Sequence, residues 1–302
     1  MPEGRIVKLR GGYYDVLPLD GSGEPHPIRC RARGVFKKRG ITPLVGDRVV
    51  YTPTANGEGT VDDIFPRSTE LIRPPVANVE QAVLVFSVAE PELGLQLLDK
   101  LIVHTEHAGL DTVICLTKID LLDAGDEADK IELNRIRELY ERIGYPVYVT
   151  SSKTGAGIAD VRARLDGKIS VFAGQSGVGK SSLLNALVPG LSLATNEISF
   201  KLGRGKHTTR HVELIPLGTG GFVADTPGFS QLDFPRMEPE QLAACFKEMK
   251  RYGTGCRFRG CLHVQEPHCL VREAAERGEI AESRYRHYKM FLQELKENKR
   301  RY

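Results

Sequence analysis

One eight-residue segment near the middle of the chain restricts the fold more than any other feature. It follows the pattern G-x4-G-K-S/T and consists of Gly174, Gln175, Ser176, Gly177, Val178, Gly179, Lys180 and Ser181, with Ser182 next. A β-rich apolar run, 169–173, precedes it and a helical pattern, 181–187, follows it. In such a loop backbone amides face phosphate oxygens, the lysine reaches the β and γ phosphates, and the serine hydroxyl binds Mg²⁺. The segment predicts an α/β sheet that binds a nucleoside phosphate.

Two further loops at predicted strand ends resemble the elements that recognise guanine. The first consists of Thr117, Lys118, Ile119 and Asp120, and the second of Ser151, Ser152 and Lys153. A carboxylate at Asp120 accepts hydrogen bonds from guanine N1–H and the N2 amine, which adenine does not present there, while the Lys118 stem covers the purine face. The second loop resembles the one whose backbone contacts guanine O6. A surface ion pair and a polar loop would explain these residues singly, but not three matched loops at strand ends.

Two segments farther along the chain resemble the switches of GTPases. The sequence DTPG at 225–228 follows a β-rich run, and in this element Asp225 reaches Mg²⁺ through water while the Gly228 amide bonds the γ-phosphate. The segment 206–210 supplies the threonine of the first switch. The predicted Mg²⁺ ligands are Ser181, Asp225 and either Thr208 or Thr209. Loops that hold the γ-phosphate relax on hydrolysis, so both segments are predicted conformational switches.

The composition changes along the chain in a way that predicts three domains. Residues 1–66 predict an all-β barrel of the OB type that binds RNA, with strands at 4–9, 13–18, 28–35, 47–54 and 60–65. Residues 67–235 alternate apolar strands (81–88, 112–117, 147–150, 169–173 and 222–224) with helices such as 128–143 and 158–165, which predicts a layered α/β domain. Residues 236–302 predict a mainly helical domain around a Cys/His cluster.

Four metal-ligating side chains lie inside a stretch of 14 residues in that last segment. They are Cys256, Cys261, His263 and Cys269. Three thiolates and one imidazole suit a closed tetrahedral zinc site, which has a structural rather than a catalytic role. His268 is a competing ligand, but it adjoins Cys269, and both would need an awkward turn to point inward. We predict one structural zinc ion per chain and interpret Cys30, Cys115 and Cys245 as core or strand residues.

The formal net charge of +3 conceals segments of opposite sign. Residues 1–70 hold 11 basic and 9 acidic side chains, residues 71–235 hold 16 and 20, and residues 236–302 hold 15 and 10. One stretch of the first segment is basic without an acidic residue, and its cations are Arg29, Arg31, Arg33, Lys37, Lys38 and Arg39. Strand alternation predicts the first three on one face, which we interpret as an RNA contact rather than a solvated strand.

The final helical pattern carries an apolar stripe, formed by Tyr285, Tyr288, Leu292 and Leu295. Basic side chains surround it: Arg284, Arg286, Lys289, Lys296, Lys299, Arg300 and Arg301. Docking against the protein's own core explains the stripe at least as well as base stacking does. The cations are interpreted either as contacts to nucleic-acid phosphates or as a solvated face.

Membrane and export signals are not evident in the sequence. The longest clearly apolar run, 82–89, is far shorter than the roughly 18–20 residues of a spanning helix. The first 12 residues mix four charged side chains into few apolar ones and lack the apolar core of a signal peptide. We expect a soluble cytoplasmic protein, in which clustered cysteines bind metal rather than form disulfides.

The order of the nucleotide motifs carries the most specific resemblance. Ordinary GTPases begin with the phosphate loop, whereas here the order is TKID, SSK, phosphate loop, threonine switch and DTPG, which is a circular permutation. Together with the flanking barrel and Cys/His segment, this resembles, over essentially the whole chain, the RsgA (YjeQ/YloQ) family of bacterial small-ribosomal-subunit biogenesis GTPases. The resemblance implies a monomeric GTP phosphohydrolase that uses Mg²⁺, is stimulated by the small (30S) ribosomal subunit, contacts 16S rRNA and acts late in maturation near the decoding region.

Two residues depart from the ordinary GTPase pattern. Thr117 replaces the commoner asparagine and loses an amide that bridges guanine and the phosphate loop, which predicts weaker binding or faster exchange. Phe229 stands where many GTPases place a water-orienting glutamine, and an apolar ring cannot hold water by a hydrogen bond. Our hypothesis is that His207 takes this role; a solvated or RNA-contacting histidine is the alternative. The candidate catalytic residues are His207, Thr208, Thr209 and Lys180.

Two other functional classes compete with an assembly GTPase. The first is a nucleotide-gated RNA-binding or scaffold protein in which hydrolysis is incidental, and Phe229 supports it. The second is a signalling GTPase with a protein partner, which the basic barrel and the Cys/His segment make less economical. Because the Cys/His segment follows the DTPG switch in the chain, we also predict that the nucleotide state changes its orientation.

Overall fold

A computed structural model gives the structure of the chain. It describes residues 1–19, 26–54, 57–72, 75–122, 127–188, 190–191, 212–218, 220–225, 234 and 237–300. The chain forms two compact units, and each combines stretches that are distant in sequence. Unit 1 comprises residues 1–83, 158–176 and 180–230, and unit 2 comprises residues 84–157, 177–179 and 231–302. The domain boundaries after residues 66 and 235 stay a prediction.

The first five strands of unit 1 close into a barrel. They are β1 (Glu3–Arg10), β2 (Tyr13–Pro18), β3 (Ile28–Ala32), β4 (Arg48–Pro53) and β5 (Glu58–Ile64). Their hydrogen-bonded order is β1-β2-β3-β5-β4, and β4 pairs back onto β1. Strands β3 and β5 are parallel, whereas the other pairs are antiparallel. Alternate apolar side chains such as Ile6, Val16 and Val61 are fully buried. The predicted OB-type barrel is confirmed.

One predicted strand of the barrel extends too far. The strand expected at 28–35 ends at Ala32, and a short helix, α1 (Gly34–Lys38), follows it. The helix forms because it inserts Phe36 into the core and places two lysines in its last turn, where they favour the helix dipole. Arg29 and Arg31 are exposed on β3 as predicted. The prediction that Arg33 shares their strand face is wrong, since it caps the helix instead.

A short hairpin after the barrel was not predicted from the sequence. It consists of β6 (Glu70–Ile72) and β7 (Pro75–Ala77). The Ala77 amide donates to the Val45 carbonyl oxygen at 2.9 Å, and a Cβ on Gly46 would lie 2.0 Å from the Ala77 carbonyl oxygen. Arg67 donates two hydrogen bonds, of 2.8 Å each, to the fully buried Asp47 carboxylate. This close backbone approach requires a glycine and fixes the hairpin against the barrel within unit 1.

Unit 2 begins with the part of the α/β region that carries the predicted guanine loops. Its elements are β8 (Gln81–Ser87, of which 84–87 belong to this unit), α2 (Leu95–His107), β9 (Asp111–Thr117), α3 (Glu127–Ile143) and β10 (Val147–Val149). Strand β9 lies between β8 and β10 and runs parallel to β10. Nearly every side chain of β8 and β9 is buried, as expected of strands in a sheet covered on both faces.

The remaining α/β elements belong to unit 1. They are α4 (Ile158–Leu165), β11 (Ile169–Ala173), α5 (Lys180–Leu187), β12 (Glu213–Pro216) and β13 (Phe222–Asp225). Strand β13 lies between β11, to which it is parallel, and β12, to which it is antiparallel. Strand β12 also pairs with β1, and the facing residues Lys8 and Glu213 form an ion pair. The barrel therefore joins a continuous sheet inside this unit.

The C-terminal part of unit 2 is helical, as predicted. A 3-10 helix, Pro239–Cys245, precedes α6 (Lys247–Gly253), α7 (Leu270–Glu276) and α8 (Glu282–Arg300). Tyr288, Leu292 and Leu295 of α8 are buried in a core that also contains Val103 of α2, which favours docking over base stacking for the apolar stripe. Among the described residues, none of the helices combines the length and the apolar character needed to cross a lipid bilayer.

Candidate nucleotide and metal sites

The phosphate-loop segment connects β11 to α5, as the sequence predicts. Lys180 begins α5, and its Nζ donates hydrogen bonds to the carbonyl oxygens of Gly174, at 2.8 Å, and of Gln175. Burial lowers the pKa of Lys180 to about 8. The loop therefore curls around the lysine, whose amine rests on two carbonyl oxygens that phosphate oxygens can replace.

Backbone conformation explains why this loop is rich in glycine. Gly177 and Gly179 have φ angles of +82° and +95°, which other residues rarely adopt. Val178 between them is buried, so the loop is anchored at its centre. Ser181 is buried in the first turn of α5, and Ser182 is half-buried. Free backbone amides at the start of such a helix attract anions, which suits phosphate binding.

The TKID and SSK loops meet where β9 and β10 end, within unit 2. The Ser151 hydroxyl donates to Asp120 Oδ1 at 2.6 Å, and Lys153 Nζ lies 4.0 Å from Asp120 Oδ2. Only 13% of the Asp120 side chain is exposed. Lys118 is left-handed, with φ of +63°, and its Nζ donates to the Glu90 carbonyl oxygen. The carboxylate that the sequence assigns to guanine is thus held in one orientation by a neighbouring loop.

Thr117 retains a link to the phosphate loop that the sequence predicts to be lost. Its hydroxyl donates to the carbonyl oxygen of Val178, and Thr117 Oγ1 also lies 3.1 Å from the carbonyl oxygen of Phe86. A Cβ on Gly179 would lie 3.6 Å from the same hydroxyl. The side chain is 2% exposed. A threonine therefore holds the centre of the phosphate loop without the amide of the commoner asparagine.

Several predicted site residues lie outside the described part of the chain. His207, Thr208, Thr209, Gly228 and Phe229 all belong to segments that the structure does not describe. Asp225 is the last residue of β13, which extends one residue beyond the predicted strand 222–224. Of the predicted Mg²⁺ ligands, only Ser181 has a described side chain.

The four predicted metal ligands converge into one cluster. Their ligand atoms all lie within 4.8 Å of one another: Cys256, Cys261, His263 and Cys269. The Sγ of Cys269 lies 3.8 Å from that of Cys261, 4.0 Å from that of Cys256 and 3.2 Å from Nδ1 of His263. Tetrahedral zinc with Zn–S bonds of about 2.3 Å has S–S edges of about 3.8 Å. The donor set and its spacing fit zinc, while His268 is outside the cluster.

Side chains from outside the cluster hold the metal-binding loop. Burial alone would raise the pKa of Glu266, but backbone N–H bonds, one of them from Glu266 itself and the others from neighbouring residues, outweigh it and lower the pKa to about 2. The neighbouring donors are Leu262, Val264 and Gln265. From α8, the hydroxyls of Tyr285 and Tyr288 donate to the carbonyl oxygens of His263 and Leu262, each at 2.7 Å. These roles are not evident from the sequence, because the helical pattern shows the two tyrosines only as parts of an apolar stripe.

The sequence interpretation of Arg284 as a cation exposed to nucleic acid or solvent is wrong. Its side chain is 1% exposed, and it donates to Asp99 Oδ1 at 2.5 Å and to Glu248 Oε1 at 2.7 Å. Asp99 also contacts His287 Nδ1 and accepts from the Tyr140 hydroxyl, each at 2.6 Å. Burial alone would raise the pKa of Asp99, but the Arg284 charge and these bonds hold it below its ordinary value. We name these five residues the Asp99 cluster.

The exposed barrel face combines cations with an aromatic ring. The guanidinium carbons of Arg29 and Arg31 lie 5.2 Å and 4.6 Å from the centre of the Tyr13 ring. Arg31 also donates to the Tyr13 hydroxyl. Stacked arginine and tyrosine side chains of this kind can contact both phosphates and bases of single-stranded nucleic acid.

The closed barrel, the Cys/His cluster and an α/β domain whose guanine-type loops precede its phosphate loop define a circularly permuted GTPase. Two family models match the chain, the RsgA N-terminal domain over residues 3–61 and the RsgA GTPase over residues 64–235. The chain belongs to the RsgA GTPase family.

Individual relatives match the chain over its full length. Proteins named small ribosomal subunit biogenesis GTPase RsgA are 52% identical in Bacillus velezensis and 53% identical in Geobacillus kaustophilus, with 100% of both chains covered. The crystal structure of YloQ, a circularly permuted GTPase, is 43% identical with a TM-score of 0.86 and covers 99% of this chain and 96% of its own. YjeQ from Thermotoga maritima is 40% identical with the same TM-score and covers 97% and 98%.

Proposed function

We propose that the chain hydrolyses GTP to GDP and phosphate as a late assembly factor of the small (30S) ribosomal subunit, which stimulates the reaction. The full-length similarity to proteins named small ribosomal subunit biogenesis GTPase carries this proposal. The stacked cations on the barrel support a contact with 16S rRNA. The protein acts as a cytoplasmic monomer.

The nucleotide is assigned to the loops as follows. The guanine is bound by Thr117, Lys118, Ile119, Asp120, Ser151, Ser152 and Lys153. The phosphates are bound by Gly174, Gln175, Ser176, Gly177, Val178, Gly179, Lys180, Ser181 and Ser182, and the γ-phosphate is sensed by Asp225 and Gly228. The fixed Asp120 carboxylate and the loop-bound ammonium of Lys180 support these roles.

Two metal ions complete the proposal. Zinc is held by the four-residue Cys/His cluster and has a structural role, since all four tetrahedral positions are filled by protein. Mg²⁺ accompanies the nucleotide and is held by Ser181, Asp225 and either Thr208 or Thr209. When bound, Mg²⁺ neutralises charge on the β and γ phosphates. The residues themselves bind and orient the nucleotide.

Turnover of GTP with and without purified small subunits tests the function. We expect the small subunit to raise turnover at least about tenfold, as activators of GTPases with weak intrinsic hydrolysis do. Measurements at several salt concentrations should show a steep loss of subunit binding, because phosphate contacts release counterions. A rate of GTP turnover that is unchanged by the small subunit would favour the alternative, a nucleotide-gated RNA-binding scaffold.

The catalytic assignment has a separate test. We propose that His207 orients the attacking water, with Thr208, Thr209 and Lys180 as the other candidate catalytic residues. His207→Ala should lower subunit-stimulated turnover by about 10²-fold or more while GDP affinity stays within about twofold, since general acid–base groups contribute about 10²–10⁴-fold. His26→Ala, at an exposed barrel position, is the matched control. Full stimulated turnover in His207→Ala contradicts the assignment.

The guanine assignment is tested by base preference. Asp120→Asn should weaken GTP binding and improve binding of xanthosine triphosphate, because an amide presents a donor where xanthine has a carbonyl oxygen. Competition binding with both nucleotides measures the change. An unchanged preference removes Asp120 from the base site.

A further inference from the structure

A continuous set of side-chain contacts inside unit 2 joins the Cys/His cluster to the guanine loop. The first contacts are those of α8 with the metal-binding loop. Two adjacent turns of α8 carry Tyr285 and Tyr288, whose hydroxyls hold the carbonyl oxygens of His263 and Leu262. Since His263 is a metal ligand, the start of α8 is held against the metal-binding loop by direct hydrogen bonds.

The same turns of α8 contact α2 through the Asp99 cluster. Arg284 and His287 of α8 bind the two carboxylate oxygens of Asp99, at 2.5 Å and 2.6 Å. Asp99 is fully buried, and Arg284 and His287 are nearly so. Removing one partner of a buried ion pair leaves the other charge uncompensated, so α2 and α8 are held in one relative position.

Helix α2 in turn contacts the strand that presents the guanine loop. The hydroxyls of Thr105, on α2, and Thr112, on β9, lie 2.6 Å apart, and both residues are buried. Strand β9 ends at Thr117, which leads directly into Lys118 and Asp120. A carboxylate that must accept two hydrogen bonds from one base edge tolerates little displacement. The contact between Thr105 and Thr112 therefore connects α2 to the strand whose last residue precedes the guanine loop.

We propose that Asp99 and Arg284 are positioning residues through which the metal-loaded Cys/His cluster holds the guanine loop in its base-binding geometry. This rests on the proposed function, because it assigns zinc to the cluster and guanine to Asp120. Metal and guanine nucleotide then bind with positive coupling, and by linkage each raises the affinity of the other by the same factor. The coupling acts on recognition of the base.

Binding of GDP and IDP to the full chain, loaded with zinc or treated with a chelator, tests the coupling. Inosine lacks the N2 amine, so the ratio of IDP to GDP dissociation constants reports the contact with Asp120. We expect metal removal to raise the GDP dissociation constant by about fivefold or more and to lower this ratio. Zinc affinity, measured by chelator competition, should rise by the same factor with saturating GDP. A ratio of IDP to GDP dissociation constants that is unchanged by metal removal overturns the inference, whether or not the GDP affinity changes.

Variants separate positioning from general stability. Arg284→Met should lower the IDP/GDP ratio in zinc-loaded protein, and Arg284→Lys, which keeps the charge, should restore part of it. Arg277→Met removes an exposed ion pair with Glu279 in the same segment and should leave the ratio unchanged. If Arg284→Met does not fold, Tyr285→Phe, which removes only the hydroxyl bond to His263, should produce the same change. A wild-type ratio in the variants that fold overturns the inference.

Different results would contradict the assignment of guanine to Asp120 and the coupling between metal and nucleotide. Zinc-loaded protein that does not prefer GDP over IDP contradicts the guanine assignment and the coupling together. Zinc-loaded protein that prefers GDP but keeps this preference after chelation contradicts the coupling alone.

Discussion

The phosphate loop and the Cys/His cluster are both short motifs that stand out in the sequence, but they are built differently. The phosphate loop takes most of its shape from its own backbone: Gly174, Gly177 and Gly179 have positive φ, and Lys180 binds two carbonyl oxygens of the loop itself. The Cys/His cluster depends on distant side chains, since α8 supplies two tyrosine hydroxyls to its loop and is itself bound to α2 through Arg284 and Asp99, which are 185 residues apart.

This difference indicates how each site should respond to change. A distant side chain, Thr117, also contacts the phosphate loop at Val178, but the hydrogen bonds of Lys180 close within six residues, so the loop should tolerate the loss of other distant contacts. A cluster supported from several helices loses its geometry when any buried partner is removed. The C-terminal segment also has short helices, two of them of seven residues, which are not stable alone.

Loss of a metal ligand should have the largest effect. Cys269→Ser should lower the free energy of unfolding of the C-terminal segment by roughly 5 kcal/mol or more, since structural zinc contributes about 10–16 kcal/mol of apparent binding energy in small domains. Hydrogen exchange should show α6 and α7 exposed while the barrel stays protected. Cys30→Ser, a buried cysteine outside the cluster, should cost only about 1–2 kcal/mol. Normal protection of α6 and α7 in Cys269→Ser would show that the cluster is dispensable.

The Asp99 cluster should respond more strongly than a comparable pair on the barrel. Arg284→Met leaves buried carboxylates uncompensated and should cost about 3–5 kcal/mol of unfolding free energy. Arg48→Met removes an ion pair with Glu3 in which 52% and 40% of the two side chains are exposed, so water can replace the contact and the cost is at most about 1 kcal/mol. Denaturant titration measures both. Equal losses of unfolding free energy in the two variants would contradict the difference expected between the Asp99 cluster and the barrel ion pair.

The smallest expected effect is on the pH dependence of nucleotide binding. Since burial lowers the pKa of Lys180 to about 8 in the free protein, its ammonium is mostly present below pH 8 and is lost above it. Phosphates bind the ammonium form, so GDP affinity should be level up to pH 8 and then fall by about tenfold per pH unit. Titration calorimetry from pH 7 to 9 measures this. Lys180→Met controls for ionisation of the base, and an equal fall in that variant excludes Lys180 as the cause.

Predictions from the sequence were most accurate for features that depend on residue type or on patterns within a short segment. The strand expected at 169–173, the cysteine spacing and the barrel strand Tyr13–Pro18 agree with the structure, because each depends on local patterns of burial or on residue type. The strand expected at 28–35 was too long, since the burial of Phe36 favours a helix that period-two alternation does not reveal. The hairpin β6–β7 was not predicted because it is held by Gly46, Asp47 and Arg67, which lie outside the hairpin itself.

The sequence by itself determined the nucleotide motifs, their permuted order and the identity of the metal ligands, because these depend on residue type and spacing within short segments. Only the tertiary structure decided that Arg284 is a buried partner of Asp99 instead of an exposed cation, and that Thr117 holds the phosphate loop. Burial and pairing are set by which distant segments pack together, and a helical pattern places an arginine on a face without saying what covers that face. The residues that support each site can therefore be identified only from the tertiary structure, although the ligands of each site can be identified from the sequence.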